Sequence, residues 1–112
     1  MMPGQNGPAH YQVTVTAPSE TEASALGRAA VERRLAACAQ VSGPITSVYW
    51  WDGEVTSSRE WMCTLKTTAA RLGELTEHLR STHSYDTPEI VATPIVGGDA
   101  DYLAWLDAET LR

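Results

Sequence analysis

Residues 39–68 have the sequence AQVSGPITSVYWWDGEVTSSREWMCTLKTT, in which two apolar-rich runs flank Asp52-Gly53. Asp-Gly between two such runs is typical of a two-residue hairpin turn, because both turn residues must adopt a positive φ. We therefore predict a strand from about Ala39 to Trp51 and a returning strand after the turn. Gly43-Pro44 predicts an interruption of the first strand, since proline donates no hydrogen bond and glycine permits a bulge.

Each of the two faces of the returning strand is partly apolar. Alternation along a strand places Glu60, Met62, Thr64 and Lys66 on one face and Trp61, Cys63, Leu65 and Thr67 on the other. Both faces of the sheet are therefore expected to be covered.

The segment before the hairpin predicts a strand followed by a helix. From Tyr11 to Ala17 apolar and polar residues alternate, as in a strand with one face on a core. Pro18 ends this strand, and Ser19 with Glu22 forms a capping-box signature. Apolar residues then recur at helical spacing and predict a helix from about Ser19 to Ala37.

The segment directly after the hairpin predicts a second helix. Leu72, Leu75 and Leu79 recur at helical spacing and indicate a helix from about Ala69 to Ser81. The charged residues of this helix are expected to face water, and they are Arg71, Glu74, Glu77 and Arg80.

The C-terminal part predicts a strand and a short helix. Glu89 to Val96 is typical of a fourth strand, which Pro94 restricts to a sheet edge or a bulge. Asp99 is expected to cap a final helix in which Tyr102, Trp105 and Leu106 share a face.

The predicted order of elements is that of a ferredoxin-like α+β fold, βαββαβ plus a C-terminal helix, with a four-stranded antiparallel sheet. We expect residues 1–9 to be disordered and residues 10–112 to form a single domain. Two helices cover only one face of such a sheet. Assembly into an oligomer is the simplest way to cover the other face, and the long hairpin could add strands to a neighbour's sheet edge.

Composition argues against several classes of partner. The net charge is −6, the pI is near 4.9, and eight Lys and Arg residues do not supply the basic face that nucleic acid requires. Aromatic residues such as Trp50 and Trp51 are therefore expected in core and interface packing. No apolar run approaches the roughly 20 residues of a membrane span, and the N-terminus lacks the charged and apolar regions of a signal peptide. We expect a soluble cytoplasmic protein that binds neither nucleic acid nor membranes.

The two cysteines carry no metal-site signature. Cys38 and Cys63 lie far apart, without Cys-x-x-Cys or Cys/His spacing. Two buried thiols in a reducing cytosol and a disulfide are both compatible with this spacing.

The loop His83-Ser84-Tyr85-Asp86-Thr87-Pro88-Glu89-Ile90 carries the densest chemistry in the chain. Polar loops between regular elements are common positions for binding residues. His83 is either a ligand for Cu(II) or Zn(II) through a neutral ring nitrogen, or an exposed or capping residue at the helix end. Tyr85 either contacts a ligand or shapes the loop through a hydrogen bond of its phenol.

Lys66 is a second candidate, since a lone ammonium among apolar strand neighbours requires a partner. Glu60, on the same strand face, and Glu89 are its natural partners. These residues form either a salt bridge that fixes strand register or, with Tyr85, a polar pocket between subunits for a small ligand. Glu89 is also interpreted as an acidic metal ligand or as a surface charge.

Six short motifs together resemble the CutA divalent-cation tolerance family. They are Val15-Thr16-Ala17-Pro18, Arg34-Leu35-Ala36-Ala37-Cys38, Ile45-Thr46-Ser47-Val48-Tyr49-Trp50-Trp51-Asp52-Gly53, Leu65-Lys66-Thr67-Thr68, the loop from His83 to Ile90, and Asp101-Tyr102-Leu103-Ala104-Trp105-Leu106. The resemblance extends from Tyr11 to Leu111. It implies a ferredoxin-like subunit in a tight homotrimer similar to PII signalling proteins, and a link to copper and other divalent metals without an established catalytic activity.

The metal ligands that the resemblance implies are only partly kept. In copper-binding members they are attributed to a first-strand cysteine and two consecutive histidines, and the matching positions here hold Val15, Thr82 and His83. His83 is the one implied ligand that remains. A single imidazole binds Cu²⁺ or another divalent cation weakly, unless symmetry-related copies or Glu89 add donors.

Together these patterns predict a trimeric CutA-like protein of divalent-cation tolerance or metal response that binds at clefts between subunits and is not an enzyme. The alternative is a PII-like signalling or metabolite-binding trimer whose effects on metals are indirect. A third interpretation, acid–base catalysis by Lys66 and His83, is supported by no catalytic motif.

Overall fold

The computed structural model describes residues 7–111 and shows, within them, a four-stranded sheet with three helices. The elements are β1 (His10–Ala17), α1 (Glu20–Glu32), β2 (Cys38–Trp51), β3 (Glu54–Thr68), α2 (Ala69–Thr82), β4 (Ile90–Ile95) and α3 (Ala100–Glu109). The strands pair antiparallel in the spatial order β2-β3-β1-β4. This confirms the predicted ferredoxin-like fold, with β4 at an edge. Residues 7–9 are exposed, and the rest of the segment predicted to be disordered lies outside the described residues.

The hairpin turn forms as predicted. Trp51 pairs with Glu54, and the two turn residues between them, Asp52 and Gly53, have φ values of 51° and 79°. Positive φ at both positions is the geometry of a type I′ turn, whose twist matches that of the flanking strands.

The predicted interruption of β2 is a β-bulge that packs against the indole ring of Trp61. The register between β2 and β3 shifts between Ser42 and Ile45, across Gly43-Pro44. Gly43 has φ 149°, and a Cβ added there would lie 2.7 Å from Cδ1 of Trp61. The position therefore requires glycine both for its backbone conformation and for the close approach of Trp61.

Part of the hairpin extends beyond the four-stranded sheet. β1 pairs with β3 only over residues 61–68, so residues 45–60 form a two-stranded segment, called the arm below. The arm contributes to the longest dimension of the subunit, 46 Å. Its apolar side chains Val48, Trp50, Trp51 and Val55 are 64, 74, 67 and 61% exposed.

α1 ends earlier than predicted, at Glu32 rather than near Ala37. Arg34 adopts the left-handed conformation with φ 59°. The backbone N–H groups of Arg34 and Leu35 bond back to carbonyls of the last helical turn at 2.9 and 3.0 Å, which is the Schellman arrangement. Glycine is the usual residue at such a position, so an arginine there gives no stop signal in the sequence.

Arg71, predicted to face water, is buried instead. Its guanidinium donates to the carbonyls of Arg33 and Arg34, both at 3.3 Å, and pairs with Glu74 at 3.0 Å. The last carbonyls of a helix have no intrahelical partner. Arg71 supplies these donors at the end of α1, which explains why a charged residue of α2 points inward.

The main core lies between the sheet and the two helices α1 and α2. Its fully buried strand residues have one parity, and they are Val13, Val15, Cys63 and Leu65, packed against Ala23, Leu26, Ala30, Leu75 and Leu79 of the helices. Thr67 lies on the same face of β3 and donates its hydroxyl hydrogen to the carbonyl of Leu35 at 2.6 Å.

α3 lies against one end of the opposite sheet face. Cys38 Sγ lies 3.5 Å from the Tyr102 hydroxyl, and His10 Nε2 lies 2.8 Å from Asp107 Oδ1. Cys38 and His10 alternate with the core residues along their strands, so they lie on the face of the sheet opposite the main core. Leu106 of α3 is fully buried but does not belong to the main core cluster. α3 therefore covers part of the face that was expected to be covered by assembly alone. Among residues 7–111, no helix is long and apolar enough to cross a bilayer.

Candidate functional site

The loop after α2 is fastened to the sheet by His83. This residue is the C-cap of α2, and its side chain is fully buried. Its Nε2 donates to the carbonyl of Thr16 at 2.6 Å, and its Nδ1 accepts from the backbone N–H of Tyr85 at 3.0 Å. Because a carbonyl only accepts and an N–H only donates, these contacts assign the neutral ring with its proton on Nε2. His83 is therefore a buried capping residue, and both ring nitrogens have partners.

Glu22 fastens the same loop to α1. Its Oε2 accepts hydrogen bonds from the backbone N–H of Ser84 at 3.1 Å and from the Ser84 hydroxyl at 2.8 Å, and it lies 3.5 Å from His83 Nδ1. The predicted cap is also present, since Ser19 Oγ accepts from the Glu22 N–H at 3.1 Å. The role of the Glu22 carboxylate was not predicted, because it joins positions 62 residues apart.

Tyr85 joins the loop to Glu60. The phenol donates to Glu60 Oε2 at 3.2 Å, and the Tyr85 ring lies 4.8 Å from the His83 ring. Burial, followed by the charge of Glu60 and this hydrogen bond, raises the pKa of Tyr85 to about 12. Glu60 is only 7% exposed, and this phenol is its one hydrogen-bond partner within residues 7–111. A buried carboxylate with so few donors can still accept a cation or further hydrogen bonds.

Lys66 lies away from this group. Its Nζ donates to Gln40 Oε1 at 2.8 Å, so within one subunit the predicted ion pair with Glu60 or Glu89 is not formed. Lys66 and Glu60 are six residues apart on β3, which is roughly 20 Å at the rise of an extended strand. Glu89 is exposed after the loop. The structure thus brings His83, Tyr85 and Glu60 together and leaves Lys66 elsewhere.

The residues at the positions where the resemblance implies metal ligands do not form a preassembled metal centre. Val15 is buried in the core, and the Thr82 hydroxyl donates to the carbonyl of His78 at 2.7 Å. Within the described part of the chain, no group of three or more His, Cys, Asp or Glu side chains is arranged to hold a metal ion. Cys38 and Cys63 are free thiols, and burial raises the pKa of Cys63 to about 11.

Comparison with known proteins identifies relatives along almost the whole chain. A family model described as CutA1 divalent ion tolerance protein matches residues 11–109. The divalent-cation tolerance protein CutA of Thermus thermophilus is 43% identical over 98 residues, which are 88% of this chain and 95% of that protein. The chloroplastic protein CutA 1 of rice is 41% identical over 98 residues, again 88% of this chain, and the match spans 55% of the rice protein.

Solved structures agree with this likeness. The T. thermophilus divalent cation tolerance protein superimposes with a TM-score of 0.88 at 42% identity, over 90% of this chain and 98% of that one. A protein described as the periplasmic divalent cation tolerance protein CutA, from Archaeoglobus fulgidus, superimposes with a TM-score of 0.88 at 34% identity, over 91% of this chain and 99% of that one.

Proposed function

The chain belongs to the CutA1 divalent ion tolerance family, and from that premise we propose that it serves divalent-cation tolerance or metal response as a homotrimer. In this proposal the protein binds its ligand at clefts between subunits and catalyses no reaction. We propose the cytoplasm as its compartment, because two free thiols suit a reducing environment.

The apolar surface of the arm is the observation that carries this proposal. Four of its large apolar side chains, Val48, Trp50, Trp51 and Val55, are between 61 and 74% exposed in the single subunit. Bulky apolar residues grouped in this way mark interaction surfaces on soluble proteins. β2 is also a sheet edge, 14 residues long, with backbone groups that a second strand can pair with. A second and third copy of the chain are the occupants we propose.

The proposed ligand cleft uses Glu60, Tyr85 and Glu89 of one subunit. Lys66 is too far along β3 to join Glu60 in the same subunit, so it contributes to the cleft only from a neighbouring subunit. The net charge of −6 favours cations, and a buried carboxylate offers them an oxygen ligand.

We propose that His83 takes part in binding Cu²⁺ or another divalent cation by exchange of partners. One ring nitrogen must first give up its bond to the Thr16 carbonyl or to the Tyr85 N–H. This exchange offsets part of the binding free energy, so we expect weak binding by one subunit.

Assembly is tested by light scattering on a sizing column over a range of protein concentrations. We expect a trimer, and we expect Trp50→Glu to dissociate it because the charge enters the covered arm. Arg80→Glu, on the exposed side of α2, is the control that leaves the mass unchanged. A folded wild-type monomer at all concentrations would overturn the proposed assembly.

Metal binding is tested by calorimetric titration of the assembled protein with copper. Glu60→Gln and His83→Ala are each expected to weaken binding by about tenfold, the usual loss for a ligand or its supporting residue. His10→Ala removes an imidazole that pairs with Asp107 instead, and it should bind copper as the wild type does. Absence of heat beyond dilution in the wild type would favour the metabolite alternative, which native mass spectrometry of protein taken directly from cells would then examine.

A further inference from the structure

A cleft lies where the end of α1 meets α2, outside the loop site. It has a volume of about 570 Å³, and its titratable lining residues are Arg33, Arg71, Glu74, Glu77 and His78. None of these residues is among the candidate ligands of the His83 loop. Its chemistry therefore requires a separate account.

His78, one of the residues that line this cleft, has an unmet hydrogen-bond donor. Arg33 Nη1 donates to His78 Nδ1 at 3.2 Å, which leaves the imidazole proton on Nε2. Nε2 is buried without a partner within the described residues, and His78 as a whole is 9% exposed. A buried donor without an acceptor is costly, by about 1–3 kcal/mol. Burial and the neighbouring Arg33 charge lower the pKa of His78, so the ring is neutral.

The two arginines of the cleft, Arg71 and Arg33, differ in their hydrogen-bond and ion-pair partners. Arg71 is engaged with two backbone carbonyls and with Glu74. Arg33 is exposed, and within residues 7–111 its guanidinium contacts the His78 ring and forms no salt bridge. A guanidinium has five N–H donors. Within residues 7–111, the Nε2–H of His78 and the remaining N–H groups of Arg33 are thus the donors of this cleft that have no acceptor on the protein.

We propose that this cleft binds a small oxyanion, a phosphate or carboxylate group, between the guanidinium of Arg33 and the imidazole of His78. The planar fork of arginine matches two oxygens of such a group. The oxyanion would replace His78 Nδ1 as the acceptor for Arg33. The ring, once released, could then turn an N–H toward the same anion.

The acidic residues of the cleft set the affinity. Arg71 pairs with Glu74, so the carboxylate of Glu74 is largely balanced. Glu77 is exposed and opposes an anion. We therefore expect weak binding, strengthened when Glu77 is neutralised.

The proposal is tested by NMR titration of the full-length protein with inorganic phosphate and, separately, with acetate, observed at the His78 imidazole. Saturable shifts with either anion, and a rise in the pKa of His78, are expected because a bound anion favours the charged ring. Arg33, Arg71, Glu74 and Glu77 are the charged groups that face this ring, so the pKa rise is measured in each variant as well. Saturation by phosphate alone would assign a phosphate site, and saturation by both would assign a general oxyanion site.

Three substitutions separate a site from general charge effects. Arg33→Gln should weaken binding by about tenfold or more, as expected for the loss of a charged hydrogen-bond donor. Glu77→Gln should strengthen it severalfold. Arg80→Gln changes the net charge as Arg33→Gln does, on an exposed residue outside the cleft, and should leave the affinity unchanged.

Two results would overturn the proposal. One is the absence of saturable shifts with both anions, and the other is an equal loss in Arg33→Gln and Arg80→Gln. None of the residues substituted here is a candidate ligand of the His83 loop, so the outcome is independent of the function proposed for that loop.

Discussion

The two ends of the long hairpin are built from the same strands and have opposite surroundings. At the base, which comprises residues 38–42 and 61–68, Cys63 and Leu65 are fully buried. In the arm, Trp50 is 74% and Val55 is 61% exposed. β1 and the helices reach only the base, because β1 is eight residues long whereas β3 has 15. The comparison teaches that an apolar strand is covered only as far as its neighbours extend, and that the remainder is available to another chain.

The largest expected effect is at the base. Leu65→Ala should reduce the free energy of unfolding by about 2–5 kcal/mol, since it leaves a cavity in the main core. Urea denaturation measures this loss, which should be the same at every protein concentration. Trp50→Ala in the arm is the contrasting variant, and its effect should depend on concentration because it acts through assembly. A concentration-independent loss of equal size in Trp50→Ala would contradict the comparison.

The second-largest loss of stability is expected for a substitution at the border between the base and the arm. Gly43→Ala places a Cβ 2.7 Å from Trp61 Cδ1 and 3.1 Å from Trp61 Cα at φ 149°, and we expect a loss of about 1–3 kcal/mol. Gly53→Ala in the turn is the matched control. That residue also has a positive φ, 79°, but nothing lies within 4 Å of the added Cβ, so only the backbone penalty of about 1–2 kcal/mol applies. Equal losses in thermal unfolding would show that the Trp61 contact contributes nothing.

The smallest losses of stability are expected when the hydroxyl group of Tyr85 or of Tyr49 is removed. Tyr85→Phe removes the hydrogen bond to the buried Glu60 at the border of the base, with an expected loss of about 1.5 kcal/mol. Tyr49→Phe removes a 3.1 Å contact with the Ser58 hydroxyl on the arm, which is exposed in the single subunit, where water replaces it, and should cost the subunit about 0.5 kcal/mol or less. Chemical denaturation at neutral pH compares the two, and a reversed order would contradict the burial argument.

The contribution of Tyr85 to folding stability should fall as the pH rises. The pKa of Tyr85 rises from its ordinary value of 10.0 to about 12 on folding. Between these values the unfolded chain releases the proton and the folded chain keeps it, so unfolding becomes easier as pH rises. The wild type should therefore lose stability relative to Tyr85→Phe between pH 10 and 12, and a constant difference across that window would refute the assignment.

Features set by neighbouring residues were predicted from the sequence. The Asp52-Gly53 turn is one, and the cap of α3, where Asp99 accepts a hydrogen bond from the Tyr102 N–H at 3.0 Å, is another. The bulge at Gly43-Pro44 belongs with them. Each depends on residues within a few positions, where backbone preferences decide the conformation.

Features that depend on packing between distant residues were missed. The carboxylate of Glu22 binds Ser84, 62 positions away, and His83 binds the carbonyl of Thr16, 67 positions away. Within one subunit, the expected carboxylate partner of Lys66 is replaced by Gln40 of the neighbouring strand, at 2.8 Å. No local pattern encodes such partners, because they are fixed by the way α1, α2 and the sheet dock.

Arg34 connects all three helices. Its left-handed backbone ends α1, its carbonyl accepts from Arg71 of α2, and its guanidinium reaches Glu109 of α3 at 3.0 Å. Trimming the C-terminal helix would remove that exposed contact and leave the Arg34 backbone held only by its helix-end hydrogen bonds and by Arg71. The end of the first helix would then be slightly less stable, so a change in the tail of the protein would be felt 75 positions upstream.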